Sequence, residues 1–87
     1  SSRGGHAHKS LTQVIIALSG SFDIELNDGH KSKIFHLSSP TNGLLITPMN
    51  WRVINNFSTN AVCLVLASEN FSEDDYYRDF EQFKANT

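Results

Sequence analysis

Hydrophobic and polar positions along the chain divide it into short apolar segments separated by turn residues. Stretches with Gly stand between several segments: "SGS" and "NDGH" are short enough for tight hairpins, and "SSPTNG" predicts a longer connection. Closely spaced strands of this kind are typical of an antiparallel all-β sandwich or barrel. The six segments, of four to seven residues, are "TQVIIAL", "FDIEL", "KIFHL", "LLIT", "WRVI" and "AVCLVLA".

The segments differ in how many of their faces are apolar. In "FDIEL" apolar and acidic residues alternate, which marks a sheet with one side in water. "QVIIAL" and "AVCLVLA" do not alternate, so both of their faces must be covered. A second subunit or another part of the same chain would supply that cover, and we expect a homodimer.

The pattern changes near the C-terminus, in "SEDDYYRDFEQFKA". Ser72 with Asp75 three residues later resembles a helix N-cap, and acidic residues crowd the first turn, so we expect a helix to start here. Tyr76, Phe80 and Phe83 would form one stripe of that helix, a packing face for the β-domain.

Composition narrows the class of protein. With 87 residues, 39% of them hydrophobic, the chain amounts to one small domain. The net charge of −2 and the scattered basic residues argue against nucleic acid or an anionic membrane as partner. A single cysteine, Cys63, excludes an intramolecular disulfide and favours a reducing, cytoplasmic setting. No apolar segment approaches the roughly 20 residues that cross a bilayer.

The stretch "GGHAHKSLTQVIIALSG" holds the candidate chemistry. In an extended strand His6 and His8 point to the same side, so two imidazoles converge. With Gln13 and Gly20 the spacing is H-x-H-x(4)-Q-x(6)-G, which resembles the first signature of the cupin superfamily, with Gln in place of Glu. The resemblance implies a cupin-type antiparallel β-barrel or jelly roll with a short C-terminal helix.

A second cupin signature can be traced in "GLLITPMNWRVINN", where Arg52 stands at the histidine position. A cupin metal site needs three imidazoles and a carboxylate. Gln13 is a poor ligand and Arg52 is a permanent cation, so we predict no metal and no cofactor, against the alternative of a metal-dependent dioxygenase. We expect His30 and His36 to be solvated. Two inward-facing histidines without metal suit proton transfer near neutral pH.

Nearly the whole chain resembles the sugar 3,4-ketoisomerases, the WxcM-like group of cupins. The resemblance rests on "RGGHAHKSLTQVIIALSGSFDIELNDG", "SPTNGLLITPMNWR", "NFS", "AVCLVLASE" and "DDYYRDFEQF", in this order. It implies a metal-free isomerase that moves the ketone of dTDP-4-keto-6-deoxyglucose from C4 to C3 through an enediol, for deoxysugars of bacterial surface polysaccharides such as lipopolysaccharide.

The resemblance also implies residue roles. His8 matches the principal base, which takes the C3 proton, and His6 matches the partner that assists protonation at C4. Arg3 would offer a fork to the diphosphate, and Trp51 matches a residue at the pocket rim. The substrate contacts that we assign are Arg3, Gln13, Trp51 and Arg52.

This sequence departs from the family pattern at two places. Relatives carry Trp-His-Glu where this chain has Trp51, Arg52 and Val53; Arg52 would bind phosphate or stabilise the enediolate oxygen, or would point outward. Relatives also carry a segment of about 40 residues before "RGGHAH", so we expect residues 1–87 to be a single cupin domain without it. Two alternatives are a cupin that binds nucleotide sugars without turnover and an inactive domain of an acyltransferase-fused protein.

Overall fold

The computed structural model describes residues 5–70 and 72–87, which form eight strands and one α-helix. The expectation of an all-β chain with a short C-terminal helix is confirmed. In the described residues no helix is long and apolar enough to cross a bilayer. The elements are β1 (Ala7–His8), β2 (Gln13–Ser19), β3 (Phe22–Asn27), β4 (Ser32–Leu37), β5 (Gly43–Ile46), β6 (Trp51–Asn55), β7 (Val62–Ala67), β8 (Tyr76–Tyr77) and α1 (Phe80–Ala85).

Two three-stranded antiparallel sheets share one hydrophobic core. Their strand orders are β5-β2-β7 and β4-β3-β6, and a two-stranded sheet pairs β1 with β8. Both large sheets contribute to the core, because alternate residues of their strands face inward. The core residues are Ile15, Ala17, Phe22, Ile24, Leu37 and Ile46.

One of the two predicted tight hairpins is present and the other is not. "NDGH" connects the paired strands β3 and β4, and Gly29 adopts a positive φ of 98° there. The hairpin predicted at "SGS" is wrong, because β2 and β3 lie in different sheets. The strand β2 is central and pairs on both edges, with β5 and β7, so no edge is available to β3. The chain instead crosses between the sheets at Gly20, whose φ is 68°.

The C-terminal helix begins later than predicted. Ser72 makes no side-chain capping bond, Glu73–Asp75 form a single 3₁₀ turn, and the chain is then extended at Tyr76–Tyr77. The helix α1 starts at Phe80 and is capped by Asp79. The helical preference of these residues is overridden because β8 pairs with β1, and this pairing holds the backbone extended.

The sheet β5-β2-β7 has an apolar outer face, as the sequence pattern predicts. Cross-strand register aligns Leu45, Val14 and Leu66 in one row. Leu45 and Leu66 are 58% and 52% exposed, and Leu18 is 47% exposed. Exposed apolar side chains in one contiguous row are unusual for a surface that faces only water.

Candidate active site

The histidine pair lies on β1, beside the first residues of β6. His6 exchanges backbone hydrogen bonds with Arg52, at 3.2 Å and 2.9 Å. This antiparallel bridge fixes the position of β1 relative to β6. The predicted convergence of the two side chains is present: the ring centroids of His6 and His8 lie 5.2 Å apart and nearly perpendicular. His8 is fully buried and His6 is half-buried.

Tyr76 completes a three-ring cluster with the histidines. Its ring centroid lies 4.4 Å from that of His8 and 5.3 Å from that of His6. The guanidinium of Arg78 lies over the Tyr76 ring, 4.7 Å from its centroid. The predicted helical stripe is thus divided: Phe80 and Phe83 pack on Trp51, whereas Tyr76 belongs to the histidine cluster.

A carboxylate distant in sequence contacts the second histidine. Asp75 Oδ2 lies 3.2 Å from His8 Nδ1, and the carboxylate also accepts hydrogen bonds from Ser10 and from the Leu11 backbone. Burial by itself would raise the pKa of Asp75, but the hydrogen bonds from Ser10, Leu11 and His8 outweigh burial and lower it. Asp75 is therefore ionised at neutral pH.

Gln13 and Arg52 meet across the two sheets. Arg52 Nη1 donates a hydrogen bond to Gln13 Oε1, and Nη2 donates to the Asn50 backbone carbonyl at 3.3 Å. Arg52 is only 1% exposed, and its Nε has no partner within the described residues. These hydrogen-bond acceptors are neutral, and in the part of the chain that the structure describes no carboxylate forms an ion pair with Arg52.

The site is basic but its histidines are neutral. Burial, followed by the positive charge of Arg52, lowers the pKa of His6 to about 4. Burial and Arg52 also lower the pKa of His8, against an opposing effect of Asp75. Burial lowers the pKa of Arg52 to about 10, so it stays charged at neutral pH. Two neutral imidazoles beside one fixed cation can accept and return a proton while the cation stabilises a developing anion.

The sequence-predicted site residues are only partly brought together. Four of them lie together: the rings of His6 and His8 contact each other, His6 pairs with the backbone of Arg52, and the Arg52 side chain bonds to Gln13. Trp51 follows the strand alternation to the other face of β6, where it packs on Phe80 and Phe83 and beneath Gly5. The substrate contact expected of Trp51 stays a prediction. Arg3 lies outside the described residues.

Sequence reasoning assigned no chemistry to Asp75 or Tyr76. Both stand in "DDYY", a signal that was available in the sequence but reads locally as the start of a helix. Elsewhere, His30 and His36 are exposed, as predicted. In residues 5–70 and 72–87 no group of three or more His, Cys, Asp and Glu side chains could hold a metal ion.

Comparison with known proteins gives one consistent result. The family model FdtA, described as WxcM-like, C-terminal, matches residues 1–87. A curated relative from Aneurinibacillus thermoaerophilus, TDP-4-oxo-6-deoxy-alpha-D-glucose-3,4-oxoisomerase, is 43% identical over 82 residues, which cover 94% of this chain and 59% of the relative.

Solved structures give the same family and the same fold. WlaRB, a TDP-quinovose 3,4-ketoisomerase from Campylobacter jejuni, is 45% identical with a TM-score of 0.94, covering 99% of this chain and 66% of that one. A histidine-to-asparagine mutant of the 3,4-ketoisomerase QdtA from Thermoanaerobacterium thermosaccharolyticum, in complex with TDP-4-keto-6-deoxyglucose, is 41% identical with a TM-score of 0.95, covering 99% and 62%. These likenesses confirm the cupin-type fold. The chain spans less than two thirds of the length of each of these relatives.

Proposed function

Since the chain belongs to the FdtA family, WxcM-like, C-terminal, we propose that it catalyses 3,4-ketoisomerisation of a dTDP-4-keto-6-deoxyhexose by histidine acid/base catalysis. The observation that carries this proposal is the pair of neutral imidazoles, His6 and His8, on one face of β1 beside the buried Arg52 cation. The reaction moves one hydrogen from C3 to C4 and the hydroxyl proton from the C3 oxygen to the C4 oxygen, and it needs no net oxidant. We expect it to proceed without metal or other cofactor.

The first step is removal of the C3 proton, for which we propose His8. A neutral imidazole is the competent form of a base, and its lowered pKa keeps His8 neutral through the physiological range. The C4 carbonyl oxygen becomes the enediolate oxygen as the C3–H bond breaks, and the proton of the C3 hydroxyl then passes to it, so that C3 can become the ketone. Reprotonation at C4 then yields the 3-keto sugar, and His6, 5.2 Å from His8 between ring centroids, is placed to assist it.

Arg52 is the group that we assign to the enediolate oxygen. A guanidinium that is 1% exposed and bonded only to neutral acceptors has lost its hydration without gaining a counter-charge. A developing oxyanion would restore that balance, so the interaction strengthens in the transition state more than in the ground state. Gln13 positions the guanidinium through its Oε1.

The substrate class rests on the relatives. The QdtA neighbour binds TDP-4-keto-6-deoxyglucose, and another structure of QdtA contains TDP. We propose that Arg3 contacts the diphosphate and that Trp51 contributes to the pocket wall. The further assignments are a single cupin domain, supported by one core shared between both sheets, and a cytoplasmic setting, supported by the single cysteine.

We also propose a homodimer that uses the outer face of β5-β2-β7. The row Leu45, Val14 and Leu66 presents apolar side chains that a second copy would remove from water. Gly43 lies in the same face, where a Cβ would approach the Val14 side chain to 2.9 Å. Gly43 therefore leaves room for the Val14 side chain in this face, and an exposed apolar face of one sheet suits packing against an identical sheet.

Proton NMR of TDP-4-keto-6-deoxyglucose in heavy water tests the activity. We expect loss of the C3 proton signal and growth of a 3-keto species with the wild-type chain, and neither with the His8→Asn variant. A folded wild-type protein that binds the nucleotide sugar without exchange would refute catalysis and leave a binding cupin. Stoichiometric iron, nickel or zinc in protein purified without chelator would refute the metal-free mechanism.

A further inference from the structure

Asp75 is the one carboxylate that reaches the histidine pair within the described residues, and none of the roles above uses it. We propose that Asp75 is a positioning residue that holds His8 with its proton on Nδ1, which leaves Nε2 as the basic nitrogen directed at the substrate. The assignment of Nε2 as the base deepens the proposed function and rests on it. The tautomer itself does not depend on turnover.

The first argument is the chemistry of the acceptor. An ionised carboxylate has no proton to donate, so the 3.2 Å contact between Asp75 Oδ2 and His8 Nδ1 is a hydrogen bond only if Nδ1 carries the hydrogen. A neutral imidazole has one N–H, so Nε2 then carries the lone pair. His8 Nε2 is buried and has no hydrogen-bond partner among the described residues, so none of them engages its lone pair.

The second argument is the rigidity of the carboxylate. Asp75 Oδ1 accepts hydrogen bonds from the Ser10 backbone N–H at 2.8 Å and from the Ser10 hydroxyl at 2.7 Å, and Oδ2 accepts from the Leu11 N–H at 3.2 Å. The Asp75 carbonyl also accepts the Lys9 N–H at 2.7 Å. The carboxylate is thus tied to the segment that follows His8, and its orientation toward the ring is set by backbone groups.

The third argument is charge. When His8 takes a proton it becomes an imidazolium. Burial and the nearby Arg52 cation both disfavour this positive charge. Asp75 is the opposing charge: it favours the imidazolium and lessens the depression of the His8 pKa. The ring of His6, which also faces His8, has a pKa lowered to about 4 and is neutral at neutral pH, so it does not supply a negative charge. Asp75 therefore both selects the tautomer and stabilises the protonated product of the first step.

Side-chain ¹⁵N–¹H correlation spectra of uniformly ¹⁵N-labelled protein without substrate test the tautomer, with the His8 signals assigned by their loss in the His8→Asn variant. We expect Nδ1 to be protonated in the wild type and a substantial Nε2–H population in Asp75→Ala. The matched control is Ser10→Ala, which removes the hydroxyl bond to the same carboxylate but not the contact with His8, and we expect it to keep the wild-type tautomer. In turnover, Asp75→Ala should lose about 10²- to 10⁴-fold in kcat with KM nearly unchanged.

A wild-type His8 protonated on Nε2 would overturn the proposal, and so would a folded Asp75→Ala variant with an unchanged tautomer. If Asp75→Ala does not fold, the wild-type spectrum still decides whether His8 Nδ1 carries the proton. A wild-type chain without isomerase activity would refute the proposed function and not the tautomer, since the spectra are recorded without substrate.

Discussion

Arg52 offers a test in which stability and activity are expected to change in opposite directions. The perturbation is the double variant Arg52→Met with Gln13→Leu, which replaces the buried guanidinium and its amide partner by apolar side chains of similar length. The second substitution is needed because the amide of the half-buried Gln13 would otherwise lose its hydrogen-bond donor, at a cost of up to about 1–3 kcal/mol.

The magnitude follows from the pKa. Burial lowers the pKa of Arg52 to about 10, well below the usual range of an arginine side chain, and a depression of this size corresponds to about 3 kcal/mol of stability lost by keeping the charge buried. A depressed pKa means that the folded chain binds this proton less tightly than the unfolded chain does. Below about pH 10 both states hold the proton, so this loss of stability is present in full at neutral pH. Buried ion groups replaced by well-packed apolar residues have raised stability by about 1–4 kcal/mol.

We therefore expect the double variant to be more stable than the wild type by about 1–3 kcal/mol and to lack isomerase activity. The change in stability is measured by urea unfolding at equal protomer concentration, followed by the fluorescence of Trp51, the single tryptophan. Heavy-water NMR of the keto sugar measures the isomerase activity. The control is Arg52→Lys, which keeps a positive charge without the planar fork and should not gain stability.

Two results would refute this reasoning. A double variant less stable than the wild type by more than about 1 kcal/mol would mean that the guanidinium is well compensated in the folded protein. Retained activity in the stabilised variant would mean that Arg52 does not act on the enediolate oxygen. Stability gained with activity lost is the outcome that a functional buried charge requires.

Three further predictions concern the histidines and the apolar face. His8→Asn should abolish isomerisation while leaving urea unfolding and nucleotide-sugar binding nearly unchanged; an unfolded variant would mean that His8 is structural. Because the pKa of His6 is lowered to about 4, the unfolded chain binds its proton more readily, so stability in urea unfolding should be lost as pH falls from about 6.5 to about 4. This loss should be smaller in His6→Gln, in which His8 still has a lowered pKa, and an equal loss in both proteins would contradict the prediction. Leu66→Glu on the outer face should give a monomer by light scattering, whereas the matched control Ile34→Glu, at a site 67% exposed on the other sheet, should not; a monomeric wild type at micromolar concentration would contradict the dimer.

The strands and the histidine pair could be predicted because each depends on local periodicity. Alternation in an extended chain places His6 and His8 on one side whatever the rest of the fold does. The same rule places Trp51 and Arg52 on opposite faces of β6. The meeting of Arg52 with Gln13 required the resemblance, since periodicity within a strand does not say which strands face each other across a core.

The parts that were missed depend on contacts between distant segments. "SGS" has the composition of a hairpin turn, but whether a short turn joins paired strands or crosses between sheets depends on whether the first strand has an unpaired edge. The C-terminal segment has acidic residues and spacing that favour a helix, but Asp75 and Tyr76 are held extended or in a tight turn by Lys9, Ser10 and β1. Local preference is weak enough for a few such hydrogen bonds to override it.

The C-terminal segment therefore combines packing and chemistry in a way that its own sequence does not indicate. On one face of β6, Phe80 and Phe83 pack on Trp51. Near Arg52, which points to the other face, Tyr76 and Asp75 contact His8. Because β8 pairs with β1, the position of the histidine pair depends on residues almost 70 positions later in the chain. A change that loosens the contact between α1 and Trp51 would thereby shift His8, the proposed general base, as well as weaken the fold, so we expect stability and the proposed activity to be coupled through this one segment.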